Sequence, residues 1–340
     1  MGKYRNWKID MIKGFLVLLV IWGHCLDSKS YVNRMILAFH MPLFFCVSGY
    51  LLKYTNAYER SSIELILEKA NRLLVPYFFW EGVLLTISLI IRPFYGNIIH
   101  ESKVLQSIIT CLNTTEYNGV CLRLWFFPTL FVSNLYMLFI VRLQNYVKSK
   151  KSVYYIIALF AIHYTMGKVV FDRLPFTMDI AIMATAYMLI GYTSEAFLKK
   201  IKELNKFEAI VLEVFTLGIL IISVNCSEIG LRMYCNLYGN YIWTIIGSLS
   251  GCILVVNGVY IMNKKFNILN WFSYNSLMIF PLHLAILFFL RWYINEKMLM
   301  KQEQPYYSVI LFLICVIILI PLANAINKWC PIFNGRSKEK

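Results

Sequence analysis

Charged side chains are scarce in this sequence. They make up 15% of its 340 residues, whereas 59% of the residues are hydrophobic. Soluble domains carry about a quarter charged residues, so this composition excludes a soluble domain with a polar surface. The chain also lacks a Gly-x-Ser-x-Gly elbow, a P-loop, a dinucleotide fingerprint and a Cys-x2-Cys pair near histidine. The corresponding nucleophile, nucleotide and zinc sites are therefore excluded, and we expect no metal.

Long apolar windows predict an all-α, polytopic integral membrane protein. A helix needs about 20 mostly apolar residues to cross the hydrocarbon core. About ten windows approach that length, at residues 9–26, 35–52, 73–91, 124–141, 153–167, 179–198, 209–224, 241–262, 273–293 and 306–326. The first is too long and too charged for a cleaved signal peptide. No second composition interrupts the series, which predicts a single membrane domain over residues 1–340.

The basic residues predict how the chain crosses the membrane. The sequence has 33 Lys and Arg against 18 Asp and Glu, a net charge of +15. Most of the basic residues fall in alternate loops, as expected when positive charge collects on the cytoplasmic side. We therefore expect both termini in the cytoplasm, location in the cell (plasma) membrane and contact with the lipid bilayer. This charge is explained by topology and anionic lipid rather than by nucleic-acid binding.

The first span contains ionisable residues, which are costly in hydrocarbon and therefore indicate function. Asp10, Lys13 and His24 follow the spacing of one helical face. Lys13 and His24 would lie about 16 Å apart along the axis, a separation that suits one elongated ligand. His24 is the best candidate for a general base, and Asp10 is a second candidate catalytic residue. The alternatives are a structural histidine at position 24 and a simple ion pair between Asp10 and Lys13.

Basic residues at the inner end of the predicted bundle could hold phosphate groups. Lys13, Lys53, Lys69 and Arg72 all fall on that side. Lysine and arginine bind phosphates through charge-assisted hydrogen bonds. Topology alone explains Lys53, but it explains Arg72 less well, because Arg72 directly precedes an apolar run.

Histidine and proline coincide in the second and ninth spans. His40 is followed by Pro42, and Pro281 is followed by His283. A proline frees a backbone carbonyl, which is tolerated in a membrane where it faces protein or water. This coincidence predicts a polar cavity between helices. Ser48, with its neighbouring glycine, is also a candidate, although close helix packing is the favoured interpretation there.

Four cysteines fall in predicted outer loops. Cys111 and Cys121 precede the fourth span, and Cys226 and Cys235 precede the eighth. Each pair could form a disulfide if that side is oxidising, or remain as free thiols.

Five motifs follow one another along the chain: Arg5-x4-Asp10-x2-Lys13-Gly14 with Gly23-His24; His40-Met41-Pro42-Leu43-Phe44-Phe45 with Ser48-Gly49-Tyr50; Lys69-x2-Arg72-Leu73-Leu74-x-Pro76-Tyr77; Leu124-Trp125-Phe126-Phe127-Pro128; and Ser276-x6-His283. Together they resemble the motifs of the integral-membrane acyltransferase family 3. The first three are quite specific, and in residues 145–270 only hydropathy agrees.

The resemblance implies an enzyme that transfers an acyl group, usually acetyl, from cytoplasmic acyl-coenzyme A to a hydroxyl of an extracytoplasmic polysaccharide or glycolipid. It implies His24 as the catalytic histidine, with Lys69 and Arg72 near the donor and Lys69 standing where many relatives have arginine. Acetyl-CoA would be a donor substrate rather than a permanently bound cofactor. Trp125 and His283 become candidates through their motifs. Some relatives carry an additional esterase-like domain, so transfer here is expected to be direct or through a separate partner.

A transporter or flippase of an envelope lipid or glycan is the alternative. Asp10, Lys13, Glu81 and the proline-containing helices would then line a translocation path. Hydropathy does not distinguish the two functions. Acyl transfer or hydrolysis of the donor would.

Overall fold

The structure, a computed structural model, describes residues 6–95, 124–147, 151–169, 174–227, 231–297, 305–329 and 334. Its long elements within these ranges are helices. They are α1 (Trp7–Cys25), α2 (Tyr31–Tyr54), α3 (Ser62–Tyr95), α4 (Phe126–Tyr146), α5 (Ser152–Val169), α6 (Met178–Tyr192), α7 (Glu195–Glu203), α8 (Lys206–Cys226), α9 (Tyr241–Met262), α10 (Asn267–Tyr274), α11 (Ser276–Lys297) and α12 (Pro305–Trp329).

The helices confirm an all-α membrane fold. Among the described residues, seven helical segments are long and apolar enough to cross a membrane: Tyr31–Tyr54, Phe126–Tyr146, Pro175–Tyr192, Lys206–Cys226, Tyr241–Met262, Ser276–Ile294 and Tyr306–Trp329. The fold is thus that of a multi-pass membrane protein. Helices α1, α3 and α5 lie over the three other predicted spans. The count of ten and the cytoplasmic location of the termini stay predictions.

Two predicted spans, 179–198 and 273–293, are interrupted. Helix α6 ends at Tyr192, and α7 begins at Glu195. At this break Ser194 Oγ donates to the Gly191 carbonyl at 2.7 Å, so a side chain takes over a backbone partner. Helix α10 ends before Asn275, whose side-chain Nδ2 donates to the Trp271 carbonyl at 2.9 Å. Helices α6 and α10 therefore end at hydroxyl and amide side chains, although hydropathy alone predicts one continuous span at each place.

Close backbone contacts hold α2 against α6. A Cβ atom on Gly49 would lie 1.8 Å from the Met188 carbonyl oxygen, and one on Gly191 would lie 1.8 Å from the Cys46 carbonyl oxygen. Each helix therefore presents a glycine to the backbone of the other. This is the small-residue packing by which helices approach closely in membranes. It supports the packing interpretation of the Ser48-Gly49 segment.

Substituting Gly49 with alanine is expected to destabilise the protein. The new Cβ would overlap backbone, which has no rotamer to change, so α2 and α6 would have to separate. Overpacking of this kind costs about 1–3 kcal/mol. Thermal unfolding in detergent measures the loss. Gly218→Ala is the matched control, because its added Cβ would meet no described atom within 4 Å apart from its chain neighbours and the nearby backbone of its own helix. A Gly49→Ala protein that melts with Gly218→Ala would contradict the close crossing.

Candidate active site

A cavity of about 70 Å³ lies among α1, α2, α4 and α11. Its polar lining comes from three histidines, one tryptophan and one tyrosine: His24, His40, His283, Trp125 and Tyr234. The remaining lining residues are apolar: Val20, Leu37, Met41, Leu124, Phe126, Phe127, Leu231, Met233, Phe280 and Leu284. The structure therefore brings together four residues that the sequence singles out on four separate helical segments, and it adds Tyr234.

His24 lies in the last turn of α1 and is exposed, so it marks the open side of the cavity. Its ring centroid is 5.2 Å from that of His283, with the planes tilted by 48°. The His24 carbonyl accepts a hydrogen bond from Arg291 Nη2 on α11. A cation at a helix C-terminus is favourable, because the last carbonyls carry partial negative charge. Arg291 thus fixes the end of the helix that presents His24.

The two buried histidines have the same orientation. Nδ1 of His40 lies 2.8 Å from the Ile36 carbonyl, and Nδ1 of His283 lies 2.8 Å from the Ile279 carbonyl. A carbonyl only accepts, so Nδ1 carries the proton in both rings. In the neutral imidazole Nε2 is then a hydrogen-bond acceptor. His283 is 1% exposed, and its Nε2 is buried without a hydrogen-bond partner among the described residues.

One wall of the cavity is aromatic. Phe126 and Phe280 stack with centroids 4.9 Å apart and planes 12° from parallel. Phe44 packs against both rings, at 5.7 Å and 5.6 Å. Hydrogen bonds and charge interactions are stronger in such surroundings than in water. A proton transfer at His24 would therefore occur beside a low-dielectric wall.

A buried carboxyl group supports the wall that carries Trp125. Glu81 on α3 is 6% exposed and accepts a hydrogen bond from the backbone N–H of Leu124. Leu124 and Trp125 both line the cavity. In the transporter alternative Glu81 would line a translocation path. The described hydrogen bond places its carboxyl group at the segment that leads into α4.

A second polar cluster lies near the beginning of α3. Glu68 joins two cations there, with Arg60 Nη1 2.6 Å from one carboxylate oxygen and Lys69 Nζ 3.5 Å from the other. Burial lowers the pKa of Lys69, and the nearby Arg72 lowers it further, whereas Glu68 acts in the opposite direction. Arg72 is exposed. Lys69 is therefore a half-buried cation, and Arg72 is an exposed cation one helical turn later.

Asp10 lies far from the cavity that His24 lines. Fourteen residues of helix put about 21 Å between them along the axis. Asp10 is buried, and its Oδ1 accepts a 3.0 Å hydrogen bond from Ser273 Oγ on α10. Close by, a Cβ on Gly14 would lie 1.9 Å from the Leu269 carbonyl oxygen. Asp10 thus joins α1 to α10 and is not among the residues that line the cavity.

The other predicted residues have these positions. Lys13 is half-buried on α1, one turn after Asp10. Ser48 Oγ donates to the Phe44 carbonyl at 2.9 Å, a bond within α2.

Cys226 and Cys235 are free thiols, so a disulfide between them is not present. Arg5, Cys111 and Cys121 lie outside the described residues. Within those residues no group of three or more His, Cys, Asp or Glu side chains could hold a metal ion.

Comparison with known proteins identifies the family. A family model described as an acyltransferase domain matches residues 6–326. The chain belongs to this acyltransferase family. The match begins at the N-terminal end of α1 and ends within α12, so the cavity and the cluster on α3 both lie within the family's domain.

Two curated relatives are similar over shorter segments. Nodulation protein NolL of Sinorhizobium fredii (strain NBRC 101917 / NGR234) is 35% identical over 95 residues, covering 25% of this chain and 26% of the relative. Nodulation protein NolL of Mesorhizobium japonicum (strain LMG 29417 / CECT 9101 / MAFF 303099) is 32% identical over 140 residues, covering 38% and 34%. The chain thus spans about a quarter to a third of their length. No solved structure matches.

Proposed function

We propose that this protein is a membrane O-acyltransferase that moves an acyl group from acyl-CoA to a hydroxyl of a cell-envelope polysaccharide or glycolipid. The acyl group in this proposal is acetyl. The observation that carries the proposal is the cavity at which His24, His40 and His283 meet in a chain of the acyltransferase family. A neutral imidazole at an open cavity is suited to taking a proton from a hydroxyl.

The cations on α3 are suited to the donor. Coenzyme A carries phosphates at one end and its thioester at the other, with a long flexible arm between them. Arg72 and Lys69 can bind the phosphates through charge-assisted hydrogen bonds. Glu81 lies nine residues after Arg72, about 14 Å along α3, and its partner Leu124 lines the cavity. The arm would follow this helix from the cations to the histidines.

The transfer step uses His24 as general base. The acceptor oxygen attacks the carbonyl carbon of the thioester while its proton passes to the His24 ring. A carbon–oxygen bond forms, the carbon–sulfur bond breaks, and His24 returns the proton to the departing thiolate. The products are an ester and free CoA. Asp10 takes no part in this step and maintains the packing of α1 on α10.

The topology proposed with this function has about ten spans in one domain over residues 1–340, both termini in the cytoplasm, and the plasma membrane as location. Along α1, Asp10 and Lys13 then lie towards the cytoplasm and His24 towards the outer side. Lys69 and Arg72 lie on the cytoplasmic side, where acyl-CoA is made. Donor and acceptor would reach the cavity from opposite sides.

Transfer of label tests the activity itself. Membranes containing the protein receive acetyl-CoA labelled in the acetyl group, and envelope carbohydrate is then isolated and counted. We expect ester-linked label well above that of membranes from a vector control. A correctly inserted protein that gives no label with acetyl or longer acyl donors would overturn the proposal, and lipid or glycan movement without label would identify a transporter.

A further inference from the structure

The buried ring nitrogen of His283 is a hydrogen-bond acceptor in need of a donor. Its Nδ1 proton is committed to the Ile279 carbonyl at 2.8 Å, and Nε2 has no partner among the described residues, His24 included. A buried acceptor without a partner costs free energy, so such groups are normally paired. A ligand or a water that supplies that hydrogen would satisfy Nε2.

The lining of the cavity favours an uncharged ligand with hydroxyl groups. Among its described lining residues there is no Lys, Arg, Asp or Glu. His40 has the same Nδ1-protonated form, so its Nε2 is likewise an acceptor. Acceptors on residues that line a cavity with no cation in its described lining favour O–H donors and give no compensation for a buried anion.

The volume of the cavity limits the size of the group that can enter it. At about 70 Å³ the cavity holds a few water-sized groups, since one water needs roughly 10–15 Å³ of the same measure. The cavity is lined at one side by His24, which is exposed. One edge of a sugar, with two adjacent hydroxyls, fits this space while the rest of the glycan stays outside.

We propose that His283 selects acceptors with adjacent hydroxyls, by accepting a hydrogen bond at Nε2 from the hydroxyl next to the one that is acylated. The reacting hydroxyl has one proton and gives it to His24, so the bond to His283 comes from its neighbour. The 5.2 Å between the two ring centroids suits neighbouring hydroxyls of one diol. His283 is then a specificity-determining residue, and the acyltransferase proposed above has a diol-bearing glycan as its acceptor class. This inference rests on that proposed function.

Two small alcohols separate the diol requirement from transfer itself. Purified protein receives labelled acetyl-CoA with ethylene glycol or ethanol, both small enough for the cavity, and kcat/KM is measured per hydroxyl group. The wild type is expected to prefer the diol by on the order of 10-fold or more, because ethanol leaves Nε2 unpaired. Equal values, or transfer to neither alcohol while envelope glycan is labelled, would overturn the diol subsite.

Two substitutions of His283 form a matched pair. In His283→Asn the amide nitrogen replaces Nδ1 and can donate to Ile279, but the Nε2 acceptor is lost. In His283→Gln the amide oxygen reaches the place of Nε2 and can accept, but the Nδ1 donor is lost. His283→Asn is expected to bring the ratio of kcat/KM for the diol to kcat/KM for ethanol close to 1, and His283→Gln is expected to retain most of the preference.

The combination of results distinguishes a failure of the diol subsite from a failure of the proposed acyltransferase function. If His283→Asn lowers kcat/KM equally for both alcohols, His283 orients His24 rather than the acceptor, and the inference is wrong. If Asn retains the diol preference, the second hydroxyl is bound elsewhere, and the inference is wrong as well. Failure to label any acceptor, envelope glycan included, would instead remove the proposed acyltransferase function.

Discussion

His24→Ala is expected to lower acyl transfer by about 10²- to 10⁴-fold, the usual contribution of a positioned general base. Alanine removes the ring that accepts the hydroxyl proton, and it leaves the His24 backbone carbonyl, to which Arg291 donates, in place. Because the side chain is exposed at the end of α1, its loss opens no buried cavity. Expression, insertion and melting temperature should therefore stay near those of the wild type.

His163→Gln is the matched control for that result. His163 is buried at a different place, with its ring nitrogens 3.0 Å from Tyr241 Oη and 3.0 Å from Asn236 Oδ1, and it does not line the cavity. Transfer by this variant should stay within a few-fold of the wild type. Full activity in His24→Ala, or equal loss in both variants, would remove the special role of His24.

The second large effect is expected at the donor. Replacing both Lys69 and Arg72 with glutamine should raise the KM for acetyl-CoA by on the order of 100-fold, since each charge-assisted hydrogen bond to phosphate contributes about 1.5–3 kcal/mol and solvent screening reduces the exposed one. The kcat at saturating donor should change much less, because these side chains do not touch the reacting atoms. Initial rates over a range of donor concentrations separate the two constants.

Lys199→Gln controls for the loss of positive charge as such, because Lys199 is exposed on α7 and belongs to no cluster with Lys69. Its KM should match the wild type. A double variant at positions 69 and 72 whose donor KM is unchanged would mean that the phosphates bind elsewhere.

The donor KM should also depend on pH. Burial lowers the pKa of Lys69 from its usual value near 10.5, so the ammonium loses its proton at a lower pH than an exposed lysine would. The wild-type KM is therefore expected to rise on the alkaline side, whereas Lys69→Arg keeps its charge there and should give a flat profile. Identical profiles for the two proteins would separate Lys69 from donor binding.

The local sequence predicts the parts of the site that depend on spacing and chemistry. His40 and His283 are expected to share a polar cavity because each stands two residues from a proline, and they line one cavity with His24. Their common hydrogen bond to the carbonyl four residues earlier is a property of helix geometry. The glycine of the Ser48-Gly49 segment is likewise readable as a site of close packing.

Contacts between distant segments could not be predicted in this way. Arg291 and His24 are 267 residues apart, and Ser273 and Asp10 are 263 apart. No periodicity in the sequence pairs such positions, so the sequence does not single out Arg291, and it groups Asp10 with His24 because both follow the same helical face. Tyr234 lies in the segment between α8 and α9, whose path depends on the packed helices. The signal for Arg291 was a lone cation within an apolar run.

In the proposed function the acyl group passes from a donor on the side of Lys69 and Arg72 to an acceptor on the side of His24. We would test this with vesicles of known protein orientation, with labelled acetyl-CoA confined to the cytoplasmic side and envelope glycan to the other. We expect ester-linked label on the glycan with the wild-type protein and background label with His24→Ala. Label that appears only when donor and glycan share one side, or label that persists without His24, would contradict it.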